Sequence, residues 1–203
     1  EKPARVVIGT IDPNPLVSGR GLATLKRHGI ETRSGVLDAQ CREINEVFFK
    51  YIRTRVPFVT LKFAQSIDGK IATSTGHSRW ISSEPSRVFA HRLRSLHDAI
   101  LVGSGTIVKD DPELTCRLVR GRDPLRVVVD SRLEIGPRAR VFQGQQRART
   151  LVFTTAGHDR KKRALLADAG IEVRVAGRRQ VDLAAVLEEL GRREISSLLV
   201  EGG

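Results

Sequence analysis

The sequence predicts an α/β fold: a mostly parallel sheet with helices on both faces. Three observations carry this expectation. Short β-rich apolar runs alternate with amphipathic helical stretches almost from end to end. Several of the runs are apolar throughout, as strands buried on both faces must be. Hydrophobic residues at 40% and charged residues at 29% of 203 suffice for a packed core and argue against disorder.

The elements follow in order. Residues 5–10 (RVVIGT) read as a buried strand. Residues 21–28 form a short helix with Leu22 and Leu25 inward, stopped by Gly29. Residues 38–53 are a stronger helix, since Ile44, Val47, Phe48, Tyr51 and Ile52 recur at helical spacing. Pro57 ends that register, so a boundary is expected across 53–57. Residues 58–65 and 69–73 read as strands. Ser82 or Ser83 caps a helix with Pro85 in its first turn and Phe89, Leu93 and Leu96 as its buried stripe. Residues 99–103, 126–130, 151–154, 171–175 and 198–201 read as interior strands. Helices near 159–169 and 182–191 separate the last three, the second with Leu183, Val186, Leu187 and Leu190 inward.

Composition narrows the functional classes. No apolar run approaches the roughly 18–20 residues of a membrane span, and no signal peptide opens the chain. Cys41 and Cys116 stand 75 positions apart with no CxxC or Cys/His cluster, which argues against a disulfide framework or a zinc site. A cytoplasmic protein is expected. The chain contains no methionine and stops on Gly202 and Gly203, which reads as an internal piece of a longer protein. A net charge of +12 favours anionic partners or an arginine-decorated solvated surface. Aromatic residues at 4% leave little for base stacking and count against single-strand nucleic acid.

Ligands of open parallel sheets lie beyond the carboxyl ends of the strands, and four such ends carry suggestive residues. Lys62 and Ser66 interrupt a strand before a Gly/Ser/Thr-rich loop that ends at Trp80. Lys62 is either a site residue or a snorkelling edge lysine. GSGTIVKDD, residues 103–111, leads from a strand into a helix and exposes backbone amides to phosphate, although Val108 holds the third glycine position of the usual fingerprint. Asp130 and Ser131 close a strand, as a ribose contact or as a turn. Glu201, at the end of LLVEGG, invites a ligand beside its carboxylate. His77, His91 and His97 show no metal spacing and no partnered carboxylate. The residues alone reach an α/β protein with an anionic, nucleotide-like ligand.

Together, VTLKFAQSIDGKIA, GHSRWIS, LRSLHDAILVGSGTIVKDDPELTCR, RVVVDS and LLVEGG resemble, in order and spacing, the reductase domain of the bifunctional deaminase/reductase family of riboflavin biosynthesis. Residues 5–31 resemble the last part of that family's cytidine-deaminase-like domain. The resemblance implies a dihydrofolate-reductase-like reductase domain over 56–203, incomplete at its end. It is preceded at 1–55 by the C-terminal part of the deaminase-like α/β domain. It implies NADPH as cofactor and a phosphorylated pyrimidine as substrate, 5-amino-6-(5-phosphoribosylamino)uracil, whose ribosyl group becomes ribityl. The family's cofactor contacts fall on Ala64, Trp80, Thr106, Asp110, Ser131 and Gly203. Its substrate contacts fall on Ser78, Arg94, Leu114, Arg117 and Glu201, with both arginines suited to the ribose 5-phosphate. Lys62 and Glu201 are expected nearest the reacting carbon, as the catalytic pair.

The deaminase His-x-Glu and paired-cysteine motifs are absent, so zinc is expected only in the missing deaminase part and no metal here. Asp12 and Asn14 resemble a deaminase substrate loop without its metal. The 203-residue piece alone is expected to show little reductase activity. Partners beyond the small molecule are expected to include neither nucleic acid nor membrane, with a homo-oligomer in keeping with the family. Two alternatives stand: a stand-alone pyrimidine or pterin reductase of the same fold, and a basic nucleic-acid-binding module.

Overall fold

The computed structural model describes residues 2–77 and 81–202. The first part of the chain builds β1 (Arg5–Ile8), α1 (Arg20–Arg27), β2 (Glu31–Ser34), α2 (Asp38–Ile44) and α3 (Glu46–Thr54). β1 and β2 form a parallel two-stranded sheet with Arg5 opposite Glu31. The strand expected to be buried is therefore half-exposed, with Val7 on the open side; two strands cannot cover both of their own faces. The helix expected over 38–53 is broken. Asn45 leaves the helical conformation, and its side-chain amide donates to the Cys41 carbonyl at 2.8 Å, the local competition that makes asparagine a helix breaker. The break turns Ile44 and Phe48 to the surface and buries Phe49, with the guanidinium groups of Arg42 and Arg53 over its ring.

From Phe58 onward the chain forms one six-stranded sheet. Its strands are β3 (Phe58–Lys62), β4 (Ala99–Gly103), β5 (Leu125–Val129), β6 (Thr150–Thr154), β7 (Glu172–Val175) and β8 (Ser197–Glu201). The order is β3-β8-β4-β5-β6-β7, and every pairing is parallel. Helices α4 (Glu84–Leu96), α5 (Ser104–Asp110), α6 (Arg160–Asp168) and α7 (Leu183–Arg192) supply the crossovers. Neighbours along a strand point to opposite faces, and the core divides accordingly. Ile100, Val128, Val152 and Leu199 join one cluster with Leu166 of α6. Ala99, Val127, Leu151 and Leu198 join the other with Val186 and Leu190 of α7.

Several expected details differ. No strand forms at 69–73: Ser66 and Gly69 close a turn instead, in which the Ser66 amide donates to the Lys70 carbonyl at 2.9 Å and Gly69 takes φ 77°. β3 and β7 are edge strands, so the stretch around 171–175 is interior on one side only. In α4, Ser83 caps the first turn as expected, accepting from the Ser86 amide. The helix buries Ala90 and His91 and leaves Phe89 and Leu96 in water. In α7, Asp182 caps by accepting from the amides of Ala184 and Ala185, and Leu183 is exposed. No helix is long and apolar enough to cross a membrane among the described residues.

Two polar anchors fix the frame of the sheet. The Asp98 carboxylate accepts from the amides and hydroxyls of both Ser196 and Ser197, tying the start of β4 to the start of β8. The first part of the chain meets the sheet part where the Tyr51 hydroxyl donates to the Gly191 carbonyl at 3.1 Å. A Cβ at Gly191 would lie 1.8 Å from the Arg55 carbonyl oxygen, so only glycine allows that approach.

Candidate active site

Because all six strands run the same way, their carboxyl ends share one rim. Glu201 closes β8 and sits in register with Lys62, which closes the adjacent β3. Residues in register on parallel strands face the same side. That side is covered by α4, since Thr60, two residues before Lys62, hydrogen bonds His97 Nε2 at 2.8 Å. Arg94, in the last turn of α4, reaches down to Glu201. Arg94 Nε donates to Oε1 at 2.9 Å and Nη2 to Oε2 at 2.7 Å, while Nη1 donates to the Thr115 carbonyl at 3.3 Å. Both side chains are nearly buried, 12% and 8% exposed. This is a bidentate, charge-assisted pair that leaves Glu201 no idle oxygen.

Other expected residues gather around this pair. A Cβ at Gly202 would sit 3.3 Å from the Thr106 hydroxyl, which places α5 against the end of β8. Gly103 and Gly105 face open space where β4 enters α5, so a ligand can lie directly over their backbone. Lys62 is partly buried and makes no hydrogen bond or ion pair with the described residues, so its ammonium is free to meet a ligand. Ala64 follows two residues beyond β3 and is also partly buried. Ser78, Trp80 and Gly203 lie outside the described residues.

The remaining expected contacts are placed less directly. Arg117 is exposed, with Glu113 at 3.7 Å; Glu113 is drawn more closely to Arg140. Leu114 is 2% exposed and packs in the core, with φ 56°. Asp110 ends α5, partly buried. Ser131, beyond β5, is already engaged: its hydroxyl accepts from the Val181 amide at 3.1 Å and its carbonyl from the Thr155 hydroxyl at 2.7 Å. Asp130 serves a turn, its carboxylate accepting from the amides of Glu134 and Ile135.

Two groups escaped the sequence reading. His91, one turn before Arg94 on α4, is buried beside the Thr115 backbone. Burial foremost, then the Arg94 and Arg117 charges, pushes its pKa down to about 4, with Glu201 pulling the other way. Its only sequence signal is the i, i+3 spacing to Arg94. Arg126 is a fully buried guanidinium in β5, donating to the carbonyls of Glu113, Gln143 and Ala148. Burial pushes it down to about 10. A charge inside an apolar strand was its available sign. Arg126 lines a cavity of about 240 Å³ with Arg140 and Arg147 near the amino end of β5. A larger cleft of about 560 Å³ runs along α5 between Val108 and the segment 134–139; it lies beside the Arg94–Glu201 pair's rim and includes none of the expected contacts. No group of three His, Cys, Asp or Glu residues suited to a metal ion occurs among the described residues.

A parallel α/β sheet whose rim joins a buried carboxylate–guanidinium pair to a bare glycine backbone and a hydroxyl is the kind of place where α/β proteins hold small molecules. The chain belongs to the RibD C-terminal domain family, which it matches over residues 57–203. It is 44% identical over 200 residues to the riboflavin biosynthesis protein RibD of Bacillus amyloliquefaciens, covering 98% of this chain and 54% of that protein. The RibD of Aquifex aeolicus is 43% identical, at 98% and 55% coverage. Among solved structures, the chain is similar to the diaminohydroxyphosphoribosylaminopyrimidine deaminase/5-amino-6-(5-phosphoribosylamino)uracil reductase of Thermotoga maritima. That likeness has a TM-score of 0.81 and 40% identity, over 98% of this chain and 54% of the other. The chain thus spans about half the length of the relatives it matches.

Proposed function

We propose that this chain carries the reductase of riboflavin biosynthesis, reducing the ribosyl group of 5-amino-6-(5-phosphoribosylamino)uracil to ribityl with NADPH, within a cytoplasmic enzyme whose other half binds zinc and deaminates the preceding pyrimidine. The observation that carries the reading is the buried Arg94–Glu201 pair at the sheet rim, with Lys62 in register beside it and Thr106 against Gly202. The Thermotoga maritima relative, similar along nearly the whole chain, is named for this reduction.

The residues present fit the dinucleotide. The open glycine backbone at 103–105 and the Thr106 hydroxyl offer donors without side-chain obstruction. When bound, NADPH supplies the hydride. The chain's own residues orient the opened ribose and manage charge and protons. Arg117, exposed at the edge of the site, receives the 5-phosphate. Arg94 holds the Glu201 carboxylate in one orientation against the substrate, while the Lys62 ammonium stands ready to give a proton to the heteroatom on which charge develops. Leu114 and Ser78 complete the substrate contacts that the family resemblance implies, and Trp80, Ala64 and Gly203 those of the cofactor.

The test is NADPH oxidation with the ribosylaminouracil phosphate by the protein carrying this chain. Lys62→Ala and Glu201→Gln are each expected to lower kcat by about 10²–10⁴-fold, the range of a lost acid–base or orienting group. Arg117→Ala is expected to act mainly on KM. Unchanged turnover in both Lys62→Ala and Glu201→Gln removes these residues from the mechanism. Steeply salt-dependent binding of random nucleic acid, without protection by NADPH, would support the nucleic-acid reading instead.

A further inference from the structure

Positive and negative charge are shared out unevenly at the amino end of β5. Arg126 is a guanidinium only 2% exposed, and every acceptor it has is neutral. Its Nη1 donates to the Glu113 carbonyl at 3.3 Å, and its Nη2 to the carbonyls of Ala148 and, at 2.9 Å, Gln143. Its Nε is buried with no hydrogen-bond partner. The two acidic side chains close enough to be felt are engaged elsewhere. The Glu113 carboxylate takes Arg140, with Arg117 at 3.7 Å, and the Asp123 carboxylate takes Arg147. A buried charge without a paired countercharge is costly, and a leucine or methionine would fill that strand position without the cost.

That charge borders open space. Arg126, Arg140 and Arg147 line a cavity of about 240 Å³ between the segment around Glu113 and the turn at 143–147. One water takes roughly 30 Å³ in the liquid, so a hydrated oxyanion fits. Even with Glu113 and Asp123 both counted, three guanidinium groups leave one net positive charge, and it falls to Arg126. Arg140 and Arg147 are 56% and 63% exposed, so they can turn toward a ligand while the carbonyls hold Arg126 still. None of Arg94, Leu114, Arg117 or Glu201 lines this cavity.

We propose that the cavity is an anion site apart from the sheet rim, taking one phosphate dianion, free or carried by a metabolite, as the missing countercharge of Arg126. Guanidinium forks match phosphate oxygens in pairs, and Arg140 and Arg147 supply two such forks from the solvent side. The site stands whether or not the rim carries the reductase chemistry. The two places share one wall. Thr115 lines the cavity, and its carbonyl accepts from Arg94 Nη1 at 3.3 Å on the other side.

The test is calorimetric titration of inorganic phosphate into the chain at low salt and about pH 8, where phosphate is a dianion. Arg140→Ala combined with Arg147→Ala is expected to weaken binding by at least about tenfold. Both side chains are exposed, so this variant should keep its fold. Arg117→Ala is expected to retain the binding, and so is Arg178→Ala with Arg179→Ala, which removes as much charge from an exposed loop. Undiminished binding without Arg140 and Arg147, an equal loss in the Arg178 and Arg179 variant, or no binding at all overturns the proposal. Binding lost in Arg117→Ala alone belongs to the rim; it sinks the anion site and leaves the reductase reading in place. Arg126→Met should abolish the binding outright. Should that variant fail to fold, the Arg126 Nε–H signal can be followed by NMR in the unmodified chain. A shift that saturates with phosphate supports the site, and an unmoved signal overturns it. Displacement of phosphate by ribose 5-phosphate in the Arg117→Ala protein names a metabolite as the source, and no displacement names free phosphate; either result supports the site.

Discussion

Arg94 and Glu201 are 107 positions apart and meet in a nearly dry setting. Glu201 stands out in the sequence as a strand-end carboxylate and Arg94 only through the family resemblance; nothing marks them as a pair, because pairing depends on how α4 crosses the sheet. The pair has a structural consequence. Arg94→Leu would leave the Glu201 carboxylate buried without its countercharge, and a loss of about 3–5 kcal/mol in urea unfolding is expected. Glu201→Gln keeps hydrogen-bond capacity and should lose clearly less. His91 sets a second expectation at this scale. Its folded pKa of about 4 lies below the ordinary 6.5, so the unfolded chain takes the proton first as pH falls. This contribution is fully present above pH 6.5 and is lost as pH drops from 6.5 through 4. It amounts to at most about 3 kcal/mol, and His91→Gln should flatten that limb of a stability–pH curve. Leu114, which the family resemblance puts at the substrate, packs in the core.

At the scale of elements, strand and helix types were legible wherever local chemistry and packing agree. Ser83 with Pro85, Asp159 and Asp182 all begin helices where their side chains accept backbone amides. Faces were less legible. The apolar spacing of Phe89, Leu93 and Leu96 points to a buried stripe, yet α4 turns His91 and Arg94 inward because the sheet rim beneath it offers Glu201 and the Thr115 carbonyl. Likewise the apolar repeat through 44–52 hides the break at Asn45, where one side-chain amide outcompetes the helix. The junction at Gly191 gives a direct test. Gly191→Ala forces a methyl into the Arg55 carbonyl and is expected to destabilise by about 1–3 kcal/mol in thermal or urea unfolding. Tyr51→Phe removes only the hydrogen bond to the Gly191 carbonyl and should lose about 1 kcal/mol.

For the whole molecule, a doubly covered parallel sheet follows from composition and alternation, but the order β3-β8-β4-β5-β6-β7 does not. The last strand inserts between the first two of the sheet, a choice made by long-range packing that no local window records. That insertion is also what brings Glu201 beside Lys62. It leaves β3 as an edge, with Val59 and Leu61 exposed on it and Phe63 exposed just beyond. An apolar edge with unpaired backbone invites association, so Leu61→Lys is expected to lower the concentration-dependent scattering of the chain at unchanged thermal stability. The partition of side chains between two separate clusters has a last consequence. Val127 and Val128, or Leu198 and Leu199, serve opposite sides of the sheet although they are adjacent in the chain. Loss of one codon within β5 or β8 would invert every later side chain of that strand and unseat both hydrophobic layers together. Descendants of this gene can change which apolar residue fills a strand position, whereas insertions and deletions should survive only in the connecting loops.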